Sequence, residues 1–366
     1  MQRPLPPFRA DHVGSLLRPA RLKEARSRHA AGQLSGAELA AIEDAEIKNI
    51  IARQEEIGLR SITDGELRRA YWHFDFLSGL DGVEMVEAEG IKFAGVTSKA
   101  EAPFVKGKLG STHHPQIAHF EFLKRNTKRA PKMTIPSPSM LHYRGGRKMI
   151  ASTVYPTMEE FYHDLGQVYK QVIKGFYAAG CRYLQLDDCS FAYLCDPVQR
   201  QMLSDRGDDP DKQGEIYASM INAALERRPN DLVVTTHVCR GNFRSTFIAS
   251  GGYEPIADLL FNAVNVDAYF LEWDSDRAGG FEPLRYLPKN KTVVLGLITS
   301  KSGPIENKDF VRRRVDDASK YAPLDQLCLS PQCGFASTEE GNVLAEDDQW
   351  AKLRLVTELA DEVWGR

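Results

Sequence analysis

Residues 157–188 read TMEEFYHDLGQVYKQVIKGFYAAGCRYLQLDD, and this stretch decides the fold class. Its first part carries apolar residues at i, i+3 and i+4, a spacing that predicts a helix with one buried face. Its last part, residues 181–188, is a short apolar run that ends in two carboxylates, which is typical of a buried parallel strand. A helix that runs directly into such a strand is the repeating unit of a parallel α/β protein.

The same unit recurs along the whole chain. Eight short apolar runs are predicted as strands, and segments with helical periodicity separate them. The runs are residues 9–15, 59–66, 131–138, 181–188, 232–239, 267–273, 291–299 and 326–333. Eight strands that alternate with helices predict an α/β fold, a (β/α)8 TIM barrel, in a single domain over residues 1–366. Because such a barrel usually needs about 250 residues, the surplus is expected in insertions.

The largest predicted insertion lies between the second and third strands, at residues 75–130. Gly and Lys are frequent there and helical periodicity is absent, so we expect a β-rich excursion. Insertions at the C-terminal ends of barrel strands commonly form lids and substrate walls. A loop without a function, or a contact between subunits, fits the pattern equally well.

Composition excludes several classes of protein. The 366 residues are 42% hydrophobic and 27% charged with a net charge of -3, which is ordinary for a globular protein and argues against nucleic acid as a partner. Residues 1–15 lack a signal-peptide pattern, and no apolar run approaches about 18 residues, so we expect a cytoplasmic protein without a membrane segment. The six cysteines are then expected to be reduced. The oligomeric state stays open, a homo-oligomer included.

Metal-binding side chains follow several predicted strands. In a barrel, the active site forms where the C-terminal ends of the strands meet. His237 and Cys239 have i, i+2 spacing on the fifth predicted strand, which places both on one face. Glu272 ends the sixth strand and Cys333 the eighth. This ligand set suits Zn²⁺, and its spread over three strands favours a catalytic site, although a buried His beside a Cys is also common core packing.

A second group of histidines, His113, His114 and His119, lies in the predicted insertion. Adjacent histidines usually point in different directions, so we expect a solvated or lid role and not a metal site. The other cysteines are expected in the core or near the surface: Cys181, Cys189, Cys195 and Cys328.

The four candidate metal ligands lie in segments that resemble the cobalamin-independent methionine synthase superfamily, specifically its C-terminal zinc-dependent catalytic barrel. The segments are DHVGSLLRP, ITDGELRR, YLQLDD, THVCRGNF, FLEWDSDRAG and LSPQCGF. The resemblance implies that zinc is bound by His237, Cys239, Glu272 and Cys333, and that Glu272 yields its place to the thiol of homocysteine. It therefore implies methyl transfer to homocysteine, giving methionine.

The resemblance also implies a site for the amino-acid end of homocysteine. Its carboxylate would be bound by Val13, Gly14 and Ser15. Its ammonium would be held by Asp187 and Glu66. An alternative is that these two carboxylates are ion-pair partners of nearby arginines such as Arg68 or Arg182.

Two departures from the family concern the methyl donor. Lys301 stands where the family has a proton-donating His, and an amine is a poor leaving group without a proton. We therefore predict Lys301 as the proton donor if burial lowers its pKa; otherwise the electrophile is different. Asp187 is predicted as a second catalytic residue. The family's folate-stacking Trp is also missing, with His142 and Tyr143 in that region. The donor stays open between methyltetrahydrofolate, a methylated corrinoid protein and a methylated small molecule.

Three other functions fit parts of the pattern. The superfamily includes a zinc enzyme that joins coenzyme M to an epoxide, but a sulfonate thiol would leave Asp187 and Glu66 facing an anion. A metal-independent lyase or decarboxylase on the same barrel would not require His237, Cys239 and Cys333 together. A non-catalytic zinc-binding thiol sensor would not require carboxylates at the strand ends.

Overall fold

The computed structural model describes residues 5–365, in which strands alternate with helices. The strands are β1 (Ser61–Ile62), β2 (Asp81–Glu87), β3 (Lys92–Phe93), β4 (Val96–Thr97), β5 (Glu101–Gly110), β6 (Ala130–Pro131), β7 (Met133–Pro136), β8 (Tyr183–Asp188), β9 (Val233–Val238), β10 (Ala268–Glu272), β11 (Thr292–Ile298) and β12 (Leu327–Pro331). The helices are α1 (Ala20–Ala30), α2 (Gly36–Glu56), α3 (Phe74–Leu77), α4 (Gln116–Asn126), α5 (Ser139–Tyr143), α6 (Met158–Ala178), α7 (Ser190–Tyr193), α8 (Pro197–Asp205), α9 (Pro210–Leu225), α10 (Lys308–Ser319) and α11 (Glu346–Trp364). Residues 1–4, part of the segment without a signal-peptide pattern, and residue 366 lie outside the described residues.

A parallel six-stranded sheet forms the centre of the molecule. Its strands lie in the order β12-β11-β10-β9-β8-β7, so neighbours in the sheet are successive along the chain. All of its strands are buried over their whole length, except for the first residue of β9. Strands buried on both faces read as continuous apolar runs, which is why these six segments could be predicted.

Helix α6 shows how the connecting helices pack. Thr157 caps its first turn by accepting a hydrogen bond from the backbone N–H of Glu160. Its buried side chains recur at helical spacing and include Phe161, Leu165, Val168, Tyr169, Val172 and Phe176. The helix therefore buries one apolar stripe and delivers the chain to β8, which positions Asp187 at the strand end.

The first predicted strand, residues 9–15, contributes only one bridge, between Ala10 and Leu329. Asp11 N still donates to Leu329 O, but the carbonyl oxygens of residues 12–14 accept hydrogen bonds from side chains, as where Thr63 Oγ1 donates to Gly14 O at 2.6 Å. The second predicted strand shortens to β1, which pairs in parallel with β6. Within the described residues, the prediction of eight full strands is therefore wrong for segment 9–15, where side chains replace the ladder.

The predicted insertion at residues 75–130 contains two antiparallel pairs, β2 with β5 and β3 with β4. The expectation that helical periodicity is absent there is wrong, because Gln116–Asn126 form α4. Phe120 and Leu123, spaced three residues apart, are the buried apolar side chains of this helix.

One of the three histidines of the predicted insertion is buried in the protein interior. His114 is buried, and its Nε2 lies 3.0 Å from Phe76 O. A solvated role is therefore wrong for His114. Within residues 5–365, none of His113, His114 and His119 belongs to a group of side chains that could hold a metal ion.

Each helix within residues 5–365 is too short or too polar to span a lipid bilayer.

Candidate metal centre and substrate pocket

The four predicted metal ligands meet at one edge of the sheet. His237 lies on β9 and Cys239 follows its last residue, Glu272 ends β10, and Cys333 follows β12. Parallel strands present their carboxyl ends at the same edge, so residues far apart in the chain converge there. One ligand atom from each residue can be chosen so that all four atoms lie within 4.8 Å of one another.

The metal group leaves polar atoms without protein partners. All four side chains are at most 8% exposed. Neither ring nitrogen of His237 has a hydrogen-bond partner of normal geometry among residues 5–365. Cys239 Sγ and Cys333 Sγ lie 3.5 Å apart. A buried imidazole without a partner is costly, and a metal ion would supply the missing interaction.

The electrostatics of the group favour a bound cation. Hydrogen bonds from neighbouring thiols, Cys189 foremost, hold the pKa of Cys239 well below the ordinary thiol value. Burial, and then the charge of Cys239, raise the pKa of Glu272 to about 7. Burial lowers the pKa of His237, but Cys239 and nearby carboxylates outweigh it and the net shift is upward. The group thus collects anionic atoms in a buried place where a metal ion would stabilise them.

Glu272 differs from His237 because it already has polar partners. Its Oε1 accepts a hydrogen bond from Arg240 N at 2.8 Å, and its Oε2 lies 3.0 Å from Arg277 Nη2. Its backbone N–H donates to Tyr253 Oη at 2.9 Å. Its carboxylate therefore has interactions that keep it satisfied without a metal.

The predicted carboxylate-binding segment, Val13, Gly14 and Ser15, lies beside the metal group. Val13 and Ser15 line the same pocket as the two cysteines. Gly14 has φ 137°, and a Cβ there would lie 2.7 Å from Thr134 Cγ2, so the segment requires glycine. A side chain on Gly334 would overlap Ser15 Oγ, so the Ser15 hydroxyl occupies the space that this glycine leaves.

The two predicted ammonium-binding carboxylates line the pocket together. Glu66 Oε1 accepts a hydrogen bond from Thr134 Oγ1 at 2.8 Å, while Oε2 lacks a hydrogen bond and lies 3.4 Å from Arg69 Nη1. Asp187 Oδ1 accepts a hydrogen bond from Gln185 Nε2 at 2.6 Å. Burial, and then the charge of Glu66, raise the pKa of Asp187 to about 7. A cation between the two carboxylates would relieve this repulsion.

The two arginines named above as alternative partners of Asp187 and Glu66 form ion pairs with other carboxylates. Arg68 and Arg182 form ion pairs with Glu43, Asp44 and Asp231. Neither is paired with Asp187 or Glu66, but Glu66 does pair with another nearby arginine, Arg69, as this alternative expects. Asp187 has no ion pair with an arginine within residues 5–365. Glu66 also has φ 57°, a left-handed conformation that is uncommon outside glycine and often found at functional sites.

Lys301 makes anchoring contacts. Its Nζ donates to Gly241 O, Asn242 Oδ1 and Thr246 O at 3.3, 2.8 and 3.0 Å. An ammonium has three protons to donate, so these contacts employ all of them. Lys301 is not one of the residues that line the pocket within the described chain, and its role as a proton donor stays a prediction.

The pocket is partly open to solvent and has wall residues that the sequence did not reveal. These residues include Tyr71, Trp72, Phe93, Arg144 and Tyr193. Phe93 comes from the predicted insertion and packs against Phe243, with ring centroids 5.2 Å apart. The aromatic run RAYWHFDF at residues 69–76 is the sequence signal that could have identified Trp72.

His142 and Tyr143, in the region of the family's stacking Trp, lie behind the pocket wall. His142 Nδ1 is 2.9 Å from Tyr217 Oη, and the Tyr143 ring packs on Tyr193 with centroids 5.1 Å apart. Trp72, from a different loop, is one of the residues that line the pocket.

The sequence is similar to a known protein family and to several individual proteins. The sequence pattern of the family described as cobalamin-independent synthase, catalytic domain, matches residues 8–358. The uncharacterised Bacillus subtilis protein YxjH is 52% identical over 98% of this chain and 95% of its own length. A 5-methyltetrahydropteroyltriglutamate–homocysteine methyltransferase of Bacillus velezensis is 24% identical over 93% of this chain, which spans only 42% of that enzyme.

A solved structure shares the whole fold. A Listeria monocytogenes protein, provisionally described as a vitamin-B12-independent methionine synthase, has a TM-score of 0.81 and 42% identity, with 100% of both chains covered. Together with the matched family pattern, this likeness assigns the chain: it belongs to the family of cobalamin-independent synthase catalytic domains.

Proposed function

We propose that this protein is a zinc-dependent methyltransferase that methylates the thiol of homocysteine to give methionine. The observation that carries the proposal is the convergence of four buried metal-binding side chains: His237, Cys239, Glu272 and Cys333. Their position at the carboxyl edge of a parallel sheet is where enzymes of this architecture bind their substrates.

The donor set fits zinc. Two thiols, one imidazole and one carboxylate are ligands that zinc accepts, and zinc sites with a displaceable ligand are typical of catalysis. His237 would gain the partner that its ring nitrogens lack. When bound, zinc lowers the pKa of a coordinated thiol and so supplies a thiolate at neutral pH.

The chain's own residues would select an amino-acid thiol. Asp187 and Glu66 would hold the ammonium, and the segment at Ser15 would hold the carboxylate. Glu66 Oε2 has an ion pair with Arg69 but no hydrogen bond, and the pKa of Asp187 is raised; both observations leave room for a cationic guest. Coenzyme M has no ammonium and would leave these groups uncompensated.

The proposed transfer is a displacement at carbon. The homocysteine thiol loses its proton to solvent on binding, and its sulfur then forms a bond to the methyl carbon. The bond between that carbon and the donor breaks, and its electron pair stays with the donor. An amine donor would also need a proton, for which Lys301 is the predicted source, whereas a sulfonium donor would need none.

The fold supplies the frame for this reaction. We infer that segment 9–15 and β1 close the six-stranded sheet into a (β/α)8 barrel within one domain. Hydrogen bonds support this closure: Asp11 N donates to Leu329 O on one side, and Ser61 Oγ donates to Asp11 Oδ1 on the other. The contact of Phe93 with the pocket supports a lid role for the insertion. The proposed chemistry needs reduced cysteines, which fits a cytoplasmic location.

The proposal is tested by product formation. We expect zinc-loaded protein with L-homocysteine and a CD3-labelled donor to yield labelled methionine, detected by mass spectrometry. The donors to try are methyltetrahydrofolate, methylcobalamin and a methylsulfonium compound. If homocysteine is not methylated by any of them while another thiol is alkylated, the homocysteine assignment is wrong.

Glu272→Gln is expected to separate metal binding from thiol binding. A neutral amide is a weaker ligand, so we expect zinc affinity to fall by at least about tenfold, the smallest loss typical of a residue that only orients a ligand. Homocysteine should bind more tightly to the zinc-loaded variant, because the amide is easier to displace. The measurements are zinc affinity by chelator competition and homocysteine Kd by calorimetry. Glu254→Gln is the matched control, since Glu254 also pairs with an arginine but lies at the surface. Unchanged thiol affinity in Glu272→Gln would contradict a displaceable role.

A further inference from the structure

We propose that Arg144, with the hydroxyls of Tyr71 and Tyr193, forms a subsite for an oxyanion of the methyl donor. The donor would then be a small anionic molecule of the carboxylate class. The assignment to the donor rests on the proposed function. Arg144 follows the last residue of α5 and lines the pocket that contains the metal group.

Arg144 is a cation without a carboxylate partner. Its Nε donates to His73 Nε2 at 3.0 Å, and within residues 5–365 its side chain makes no other hydrogen bond or ion pair. His73 is itself buried, so this bond fixes the plane of the guanidinium. The two terminal nitrogens make no hydrogen bond within residues 5–365, and Arg144 is one of the residues that line the pocket. A guanidinium with a free outer edge binds carboxylates through two parallel hydrogen bonds.

Two phenol hydroxyls beside Arg144 also lack partners. The buried hydroxyl of Tyr193 makes no hydrogen bond within the described chain, and that of Tyr71 has only a weak contact with Ser98, outside normal hydrogen-bond geometry. Both residues line the pocket and interact electrostatically with Arg144. A buried hydroxyl without a partner costs free energy, which an oxyanion would recover by accepting its O–H. The three groups therefore form one polar patch in a largely aromatic wall.

The patch lies next to the metal group and apart from the amino-acid end. Cys189 and Cys239 both line the pocket with Arg144, and Cys189 interacts electrostatically with both of them. Asp187 and Glu66, in contrast, form no ion pair with Arg144. The carboxylate of homocysteine already has a proposed place at Ser15. A second oxyanion site this close to the thiols is therefore available to the molecule that delivers the methyl group.

The test is binding of acetate to the zinc-loaded protein, with sodium chloride at equal ionic strength as the reference. Trp72 lines the pocket, so tryptophan fluorescence should report binding, with calorimetry as a second readout. We expect Arg144→Gln to weaken acetate binding about tenfold or more, and Tyr193→Phe to weaken it several-fold. Lys148→Gln removes an exposed cation four residues further along and should change nothing. Zinc content and homocysteine affinity should be equal in all four proteins.

Each other outcome overturns part of the proposal. Equal acetate affinity in wild type, Arg144→Gln and Tyr193→Phe, or no acetate binding at all, would remove the subsite. If Arg144→Gln loses homocysteine affinity, the anion is the acceptor's own carboxylate and the donor assignment is wrong. If Arg144→Gln fails to fold, Tyr193→Phe decides, because it deletes only an oxygen without a partner. A wild-type protein that binds no zinc would refute the proposed function and leave acetate binding measurable.

Discussion

Cys239→Ser is expected to lose zinc and thiol alkylation together. Cys239 is buried, lies 3.5 Å from Cys333 Sγ, and has a pKa held well below the ordinary thiol value. A serine hydroxyl does not ionise at neutral pH and is a poor zinc ligand. Because loss of a residue that only orients a ligand costs about 10–100-fold in metal affinity, loss of the ligand itself should cost more. Metal content by mass spectrometry and methionine formation are the readouts.

A matched cysteine separates this effect from general damage. Cys181 is also fully buried, but its Sγ donates to Tyr183 O at 3.3 Å, a bond that a serine can keep. Cys181→Ser should therefore retain zinc and activity. Full zinc retention by Cys239→Ser would remove Cys239 from the ligand set.

Asp187→Asn is expected to cost about a hundredfold in homocysteine affinity, because it leaves a buried ammonium without one of its charged partners. The control is a second thiol. 4-Mercaptobutyrate keeps the carboxylate and the thiol but lacks the ammonium, so its affinity should be unchanged or improved. Calorimetry on zinc-loaded protein measures both. Equal weakening of the two thiols would mean that Asp187 supports the fold and does not bind the ammonium.

The same carboxylate gives a pH signature. In the free pocket, burial and Glu66 raise the pKa of Asp187 to about 7. The ammonium favours the ionised carboxylate, so binding of homocysteine lowers this pKa and releases a proton. Apart from the pH dependence due to the thiol proton, which 4-mercaptobutyrate shares, homocysteine affinity should fall as pH drops below about 7, by up to about tenfold per pH unit, and level off above it. The step should be absent with 4-mercaptobutyrate and in Asp187→Asn.

Much of the sheet could be predicted because its strands are local apolar runs. The predicted ranges 232–239 and 291–299 enclose β9 and β11 with one residue to spare at each end. Segment 9–15 failed because its backbone is bonded to side chains such as Thr63, a nonlocal contact that no periodicity encodes. Helix α4 was missed because its short apolar stripe lies in a region rich in glycine and lysine.

The site residues also differ in whether a local sequence pattern identifies them. His237 and Cys239 could be identified because their i, i+2 spacing is local and the strand fixes their common face. Arg144 could not, because it lies on a loop whose path depends on tertiary packing. The aromatic run at residues 69–76 marks Trp72 as a candidate, but which of its rings lines the pocket also depends on tertiary packing. The contacts of Lys301 with Asn242 and Thr246 were hidden from the sequence for the same reason.

Zinc K-edge X-ray absorption, before and after addition of L-homocysteine, tests the central claim most directly. We predict near-stoichiometric zinc with two sulfur and two nitrogen or oxygen neighbours in the free protein. After homocysteine is added, one sulfur should replace one oxygen, as Glu272 leaves. A protein that binds no zinc when it is supplied, or a zinc shell that homocysteine does not change, would contradict the account.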